Sequence, residues 1–142
     1  MRAIRTIIED QKPLTASAEI TVAAAARLMK ERRVGAVLVV HDGSLAGIFT
    51  ERDALHRVIA EGRDPATTRV AEVMTANPRT IAPDRPFGHA LHLMYEGGFR
   101  HVPVVDNGRP LGVVSARDAL GPDLQEFIAE LDKRDHIAEI LG

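Results

Sequence analysis

The chain repeats itself. Shifted by 65 positions, the two halves of its 142 residues align without a gap. Pro13 falls on Pro78, Thr15 on Thr80, Leu28-Met29 on Leu93-Met94 and Glu31 on Glu96. Val37, Val39 and Val40 fall on Val102, Val104 and Val105, and Gly43 and Gly47 on Gly108 and Gly112. Arg52-Asp53-Ala54-Leu55 falls on Arg117-Asp118-Ala119-Leu120. A repeat of this kind is one small structural unit whose apolar face needs a neighbour to cover it. The two copies are therefore expected to fold alike and to pack face to face around a pseudo-twofold axis. Copy 1 is placed at residues 1–65, copy 2 at 66–120 and an extension at 121–142.

Each copy reads in the same order. A short helical stretch, 6–10 or 71–75, leads into an extended segment containing Pro13 or Pro78, since proline pushes the residue before it out of the helical region. Amphipathic helices follow near 22–32 and 87–96; in the second, Leu91, Met94 and Tyr95 share a face. Short apolar strands come next, at 36–40 and 102–105. Asp42-Gly43 and Asn107-Gly108 suit two-residue hairpin turns, where both central residues need positive φ. Second strands at 45–49 and 111–114 run into helices that start near Thr50 and Ser115. Residues 62–68, with Gly62 and Pro65, link the copies.

Composition excludes several classes of function. With 18 Lys+Arg against 20 Asp+Glu, the net charge is −2, and the basic footprint of a nucleic-acid partner is missing. There is no cysteine, which removes disulfides, zinc-thiolate sites and thiol nucleophiles and fits a cytoplasmic location. No apolar stretch is long enough for a membrane span, and the first residues lack a signal-peptide core. No nucleophile–base pair or phosphate-binding Walker loop supports catalysis.

The chemistry sits where each second strand meets its helix. Gly47-Ile48-Phe49-Thr50-Glu51-Arg52-Asp53 and Gly112-Val113-Val114-Ser115-Ala116-Arg117-Asp118 share the pattern Gly-h-h-[Ser/Thr]-x-Arg-Asp. The plain reading is a capping box, in which hydroxyl and acid satisfy each other's backbone N–H groups. The functional reading uses the same geometry. A helix start attracts phosphate, a hydroxyl donates to it, and a carboxylate one turn on accepts from the two hydroxyls of a ribose. The glycine would let a flat base approach the backbone.

Together these features resemble a tandem pair of CBS domains, a Bateman module of the stand-alone bacterial type, over residues from Ile7 to Leu120. The motif occurs twice, each copy has the apolar strand before its hairpin, and copy 2 adds Arg100-His101-Val102-Pro103-Val104-Val105-Asp106. The resemblance implies an α/β (α+β) fold of two related repeats, each a small sheet flanked by helices, plus a C-terminal helix. It implies a disc-like homodimer that is regulatory rather than enzymatic and needs no cofactor. Its ligand would be an adenosyl nucleotide, AMP or ATP first, then ADP, NAD or S-adenosylmethionine, held in clefts between the repeats. Carried over by position, Asp53 and Asp118 hold ribose, Thr50 and Ser115 face phosphate, and Ile48 and Val113 lie near the base. Arg100 and His101 supply cationic contacts, as Arg52 and Arg117 would. The alternative is a ligand-free scaffold for dimerisation or for an unknown protein partner.

Arg100-His101 aligns with Gly35-Ala36, so the motif of copy 2 is expected to form the better phosphate site. His89 and His92 lie three apart on one helix without a third metal ligand, and a solvated face competes with a metal site. His41 falls in a polar slot before its turn; His56 and His136 have no evident partner. Beyond the repeats, Gly121-Pro122-Asp123 reads as a helix start. Leu124, Phe127, Ile128 and Leu131, then Ile137, Ile140 and Leu141, form an apolar face for this chain or another.

Overall fold

The computed structural model describes the backbone of residues 1–141 and the side chains through Arg134. His136, Ile137, Ile140 and Leu141 lie outside the described side chains. The fold is α/β, as the resemblance implied. In order, α1 (Ile4–Ile8), β1 (Thr15–Ala16), α2 (Val22–Arg32), β2 (Ala36–His41), β3 (Ser44–Thr50) and α3 (Glu51–Asp53) lead into a π-helical stretch, Ala54–Ile59. Then come α4 (Val70–Val73), β4 (Thr75–Ala76), α5 (Phe87–Gly97), β5 (His101–Asp106) and β6 (Arg109–Ser115). A single 3₁₀ turn, Ala116–Asp118, precedes α6 (Gly121–Leu141).

Local chemistry sets these bounds. Thr21 caps α2 by accepting the Ala24 N–H at 3.1 Å, and Arg33 ends it in the left-handed region at φ 55°. Both hairpins turn as their dipeptides demand: Asp42 and Gly43 have φ 49° and 79°, Asn107 and Gly108 have φ 51° and 81°. Each hairpin carries a bulge at the same place, between Val39 and Val40 and between Val104 and Val105. Tyr95 departs from expectation. It lies exposed, edge-on to Phe127 of α6, while Phe87, Ala90, Leu91 and Met94 face the core.

The helix expected after Ser115 shrinks to one turn, and Pro122 gives the reason. It has no N–H to offer the Asp118 carbonyl and its ring clashes with that carbonyl in a continuous helix. Copy 1 has Arg57 at the matching position, and its helix runs on to Ile59.

The lead segments are exchanged between the copies. Ile4 and Ile8 of α1 are buried among Ile81, Phe87, Val102, Val104 and Val114 of copy 2. Val70 and Val73 of α4 are buried among Val22, Val37, Val39 and Phe49 of copy 1. Matching backbone bonds fix both: Ile4 and Arg5 donate to Arg85 and Pro83, Val70 and Ala71 to Ile20 and Ala18, all at 2.9 Å. These lead residues correspond at a shift of 66, not 65, because Pro13 follows Ile4 by nine positions and Pro78 follows Val70 by eight. The extra residue costs copy 2 a strand. β4 pairs with β3 and completes a four-stranded sheet, β1-β2-β3-β4, whereas β5-β6 stands as a two-stranded sheet bridged by Ile81 to Val104. In place of a strand, the Gln11 side chain accepts the Val113 N–H and donates to the Val113 carbonyl, both at 2.9 Å.

A third apolar cluster joins the copies. Ala36, Leu38 and Ile48 pack with Leu45 and Val113, and the Leu45 N–H donates to Gly108 of the other hairpin at 2.9 Å. The start of α6 packs Phe127 onto the copy 2 core, so this end of the extension covers its own chain.

Candidate functional site

Two clefts open along the seam between the repeats. The first, about 750 Å³, is lined by Ile48, Thr50, Arg52 and Asp53 of the copy 1 motif, facing Gly98, Phe99, Arg100 and His101 of copy 2. The second, about 500 Å³, is lined by Val113, Ser115, Arg117 and Asp118 of the copy 2 motif, facing Arg33, Val34, Gly35 and Ala36 of copy 1. All ten residues singled out in the sequence thus line one cleft or the other.

The motif hydroxyls and acids do form capping boxes. Asp53 Oδ2 accepts the Thr50 N–H at 2.9 Å and the Thr50 hydroxyl at 3.1 Å, while Thr50 Oγ1 accepts the Asp53 N–H at 3.3 Å. Asp118 Oδ2 accepts the Ser115 N–H at 2.7 Å and the Ser115 hydroxyl at 3.5 Å. Capping uses Oδ2 in both. Oδ1 of Asp118 takes no hydrogen bond among the described residues, and Oδ1 of Asp53 lies 3.6 Å from Arg57 Nε. Each carboxylate is therefore oriented by its cap beside a cavity of ligand size with Oδ1 left out of the cap, whereas a hydroxyl that turned to a ligand would give up its bond to Oδ2.

Arg100 and His101 line both clefts. This overturns the premise of the expected asymmetry, since these cations do not belong to the copy 2 motif alone. The first cleft adds Arg52, Arg57 and Arg79; the second adds Lys12, Arg33 and Arg117. Glu51 also borders both, with an oxygen about 3.0 Å from where a Gly35 Cβ would stand. Burial holds His101 below the usual histidine range; Arg117 and Arg100 push it the same way, while Glu51 and Asp118 push back.

Other expectations change. Gly47 and Gly112 face protein rather than an open cleft. A Cβ on Gly47 would come within 2.9 Å of the Thr75 carbonyl, and one on Gly112 within 2.9 Å of Ile8 Cβ. These glycines admit the exchanged lead segments. Ile48 and Val113 are first of all members of the apolar seam, each with an edge on its cleft. Arg52 donates to the Gly98 carbonyl at 2.9 Å and so bridges the repeats. His92 is not on a solvated face: its Nε2 lies 2.9 Å from Glu130 and its ring packs edge-on to Phe127. Among the described residues no group of three metal-ligating side chains comes together, and no described helix is long and apolar enough to cross a membrane.

Gln11, Lys12, Arg33, Glu51, Arg57 and Arg79 were not singled out. Glu51 is the variable position of the copy 1 motif, and Lys12 and Arg79 flank the repeated prolines; these were the signals available. The others reach the clefts only through the exchange and the packing of the copies.

The family model described as CBS domain matches twice, at residues 4–60 and 70–121. The chain belongs to the CBS domain family. It is 43% identical over 105 residues to the CBS domain-containing protein CBSCBSPB1 of Arabidopsis thaliana, covering 73% of this chain and 19% of that protein. The CBS pair thus spans about a fifth of that relative. Among solved structures, the CBS domain protein PAE2072 from Pyrobaculum aerophilum, complexed with AMP, superimposes with a TM-score of 0.81 at 24% identity, over 90% of this chain and 99% of that one. The CBS domain pair of protein MJ0100, in complex with 5′-methylthioadenosine and S-adenosyl-L-methionine, gives a TM-score of 0.75 at 28% identity, over 83% and 92% of the two chains.

Proposed function

We propose that this CBS pair is a regulatory module that binds an adenosyl nucleotide in the clefts between its repeats, and that it works in the cytoplasm as a homodimer. The observation that carries the reading is the pairing in each cleft of a cap-oriented carboxylate with a cluster of cations. Asp53 or Asp118 would accept the ribose hydroxyls, and Thr50 or Ser115 would donate to phosphate. Arg100 and His101 would meet phosphate from the wall common to both clefts, and the edges of Ile48 and Val113 would flank the base. The adenosyl ligands of MJ0100 support the ligand class. On this reading the role is regulatory rather than catalytic, because the side chains assigned to the ligand hold its charge and hydroxyls.

A thermal shift series tests this. AMP, ATP, NAD and S-adenosylmethionine at millimolar concentration each stabilise the native chain by roughly RT ln(1 + [L]/Kd), so the true ligand raises the melting temperature most. No shift with any of them would defeat the reading and favour a scaffold whose clefts stay empty.

A further inference from the structure

The two motif acids are held differently. In repeat 1, Arg57 ties the motif helix to the lead segment packed on it. Its NH1 donates to the Val73 and Met74 carbonyls, both at 3.1 Å. Pro122 stands at the matching position of repeat 2 and cannot make that tie. Arg2 makes it from the other side. It belongs to the lead segment on repeat 2, and its NH2 donates to the Asp118 carbonyl at 2.5 Å, the acceptor that Pro122 leaves without a helical donor. The same guanidinium grips Asp123 Oδ2, with NH2 at 2.6 Å and Nε at 3.1 Å, and lies 5.8 Å from the centre of the Phe87 ring. Asp123 is buried at the start of α6, and its Oδ2 also accepts the Leu120 N–H at 3.3 Å.

We propose that Arg2 is a positioning residue for Asp118, and that through the Arg2–Asp123 pair the docking of α6 controls the second cleft and not the first. Asp118 ends a single 3₁₀ turn and Ala119 after it is extended (φ −70°, ψ 116°), so besides Arg2 the 118–119 peptide is held by one long bond, Ala119 N–H to the Ala116 carbonyl at 3.3 Å, and by no continuing helix. Asp53 is followed by a helix to Ile59 that holds it without help from the termini. Once Arg2 lets go, the 118–119 peptide can turn, the carboxylate swings with it, and the cap to Ser115 opens. The consequence for ligand binding rests on the nucleotide reading; the consequence for the cap does not.

The experiment therefore has two readouts. Amide hydrogen exchange is followed at Ser115 and Thr50 in the ligand-free protein, for Arg2→Gln and for Asp123→Asn, which keeps the guanidinium and covers the case where the first variant folds poorly. Lys133→Gln, which removes an exposed charge of α6 away from its docking contacts, is the control. AMP is then titrated into the same variants in Asp53→Ala and Asp118→Ala backgrounds, each leaving one cleft intact. The expected result is about tenfold faster exchange at Ser115 with Thr50 within about twofold, no change in the control, and AMP weakened about tenfold only in the Asp53→Ala background. Unchanged Ser115 exchange, or equal acceleration at both amides, overturns the proposal. If the parent chain binds none of AMP, ATP, NAD and S-adenosylmethionine, the nucleotide reading falls instead, and the exchange result still decides the role of Arg2.

Discussion

At the scale of residues, one carboxylate does two jobs in each cleft. Asp118 caps its own turn with Oδ2 and faces the cleft with the rest of the group. Asp118→Ala should lose about 1 kcal/mol of stability as a cap and weaken nucleotide binding about 10–100-fold, the worth of about 1.5–3 kcal/mol of charge-assisted hydrogen bonding. Calorimetric titration in an Asp53→Ala background measures it; an unchanged affinity in a folded variant would reduce Asp118 to a cap. His101 supplies a second prediction. Its folded value lies below the ordinary 6.5, so the unfolded chain takes up the proton first. Its contribution to stability is whole above that ordinary value and declines as pH falls through it toward the lowered folded value. A phosphate beside His101 favours the charged form, so binding of AMP takes up a proton and tightens as pH falls through the same window. Titrations between about pH 7.5 and 5.5 should show a slope that His101→Gln removes. These residues could be picked out before the fold was seen because binding and capping call for the same types at the same spacing. Their grouping could not, because Arg100 and His101 serve two clefts and a linear alignment assigns each residue to one copy.

At the scale of elements, the sequence periods gave helices and strands close to those observed, and the turn dipeptides gave both hairpins. What periodicity does not register is what stands opposite a strand. Gly47 and Gly112 look like ligand-facing glycines in the motif, yet the atoms nearest to them belong to Met74 and Thr75 and to Gln11 and Ile8 of the exchanged lead segments. Gly112→Ala should therefore destabilise the chain by about 1–3 kcal/mol, as overpacking does, because Ile8 Cβ cannot yield without moving α1. Gly121→Ala, where a Cβ meets open space, should be neutral or mildly stabilising. Chemical denaturation of both variants checks the contrast; equal effects would mean that the lead helix is loosely held. The same shortfall explains Gln11. A side-chain amide standing in for a strand leaves no mark on an alternation pattern, and the one-residue difference between the lead segments shows only once their backbone bonds are compared. Pro122 could have been read earlier, since its place against Arg57 already forbids a second continuous helix.

At the scale of the whole molecule, the exchange of lead segments means that the packed units are not the sequence repeats: one runs unbroken from residue 12 to residue 77, and the other joins the first residues of the chain to those after Asn77. A cut at 65 leaves copy 1 β1, β2, β3 and α2 but removes β4 from its sheet and Val70 and Val73 from its core, and keeps Ile4 and Ile8, which are buried in the other. A cut that respects the packing runs from residue 12 to residue 77 and holds β1, α2, β2, β3, the motif helix, α4 and β4 together. Full burial of one Ile or Val side chain is worth about 1.5–3 kcal/mol, so the two cuts differ by several such increments in a fragment with little margin of its own. The 12–77 fragment should keep a cooperative urea transition and strand-like circular dichroism, whereas the 1–65 fragment should lack both. If the 1–65 fragment were the more stable, the exchange would be incidental and each copy would be able to use its own lead helix. The same connectivity is what brings the chain's first residues and the start of α6 together at the Asp118 carbonyl. A module built this way can register a change at its ends as a change in one binding cleft without altering the other.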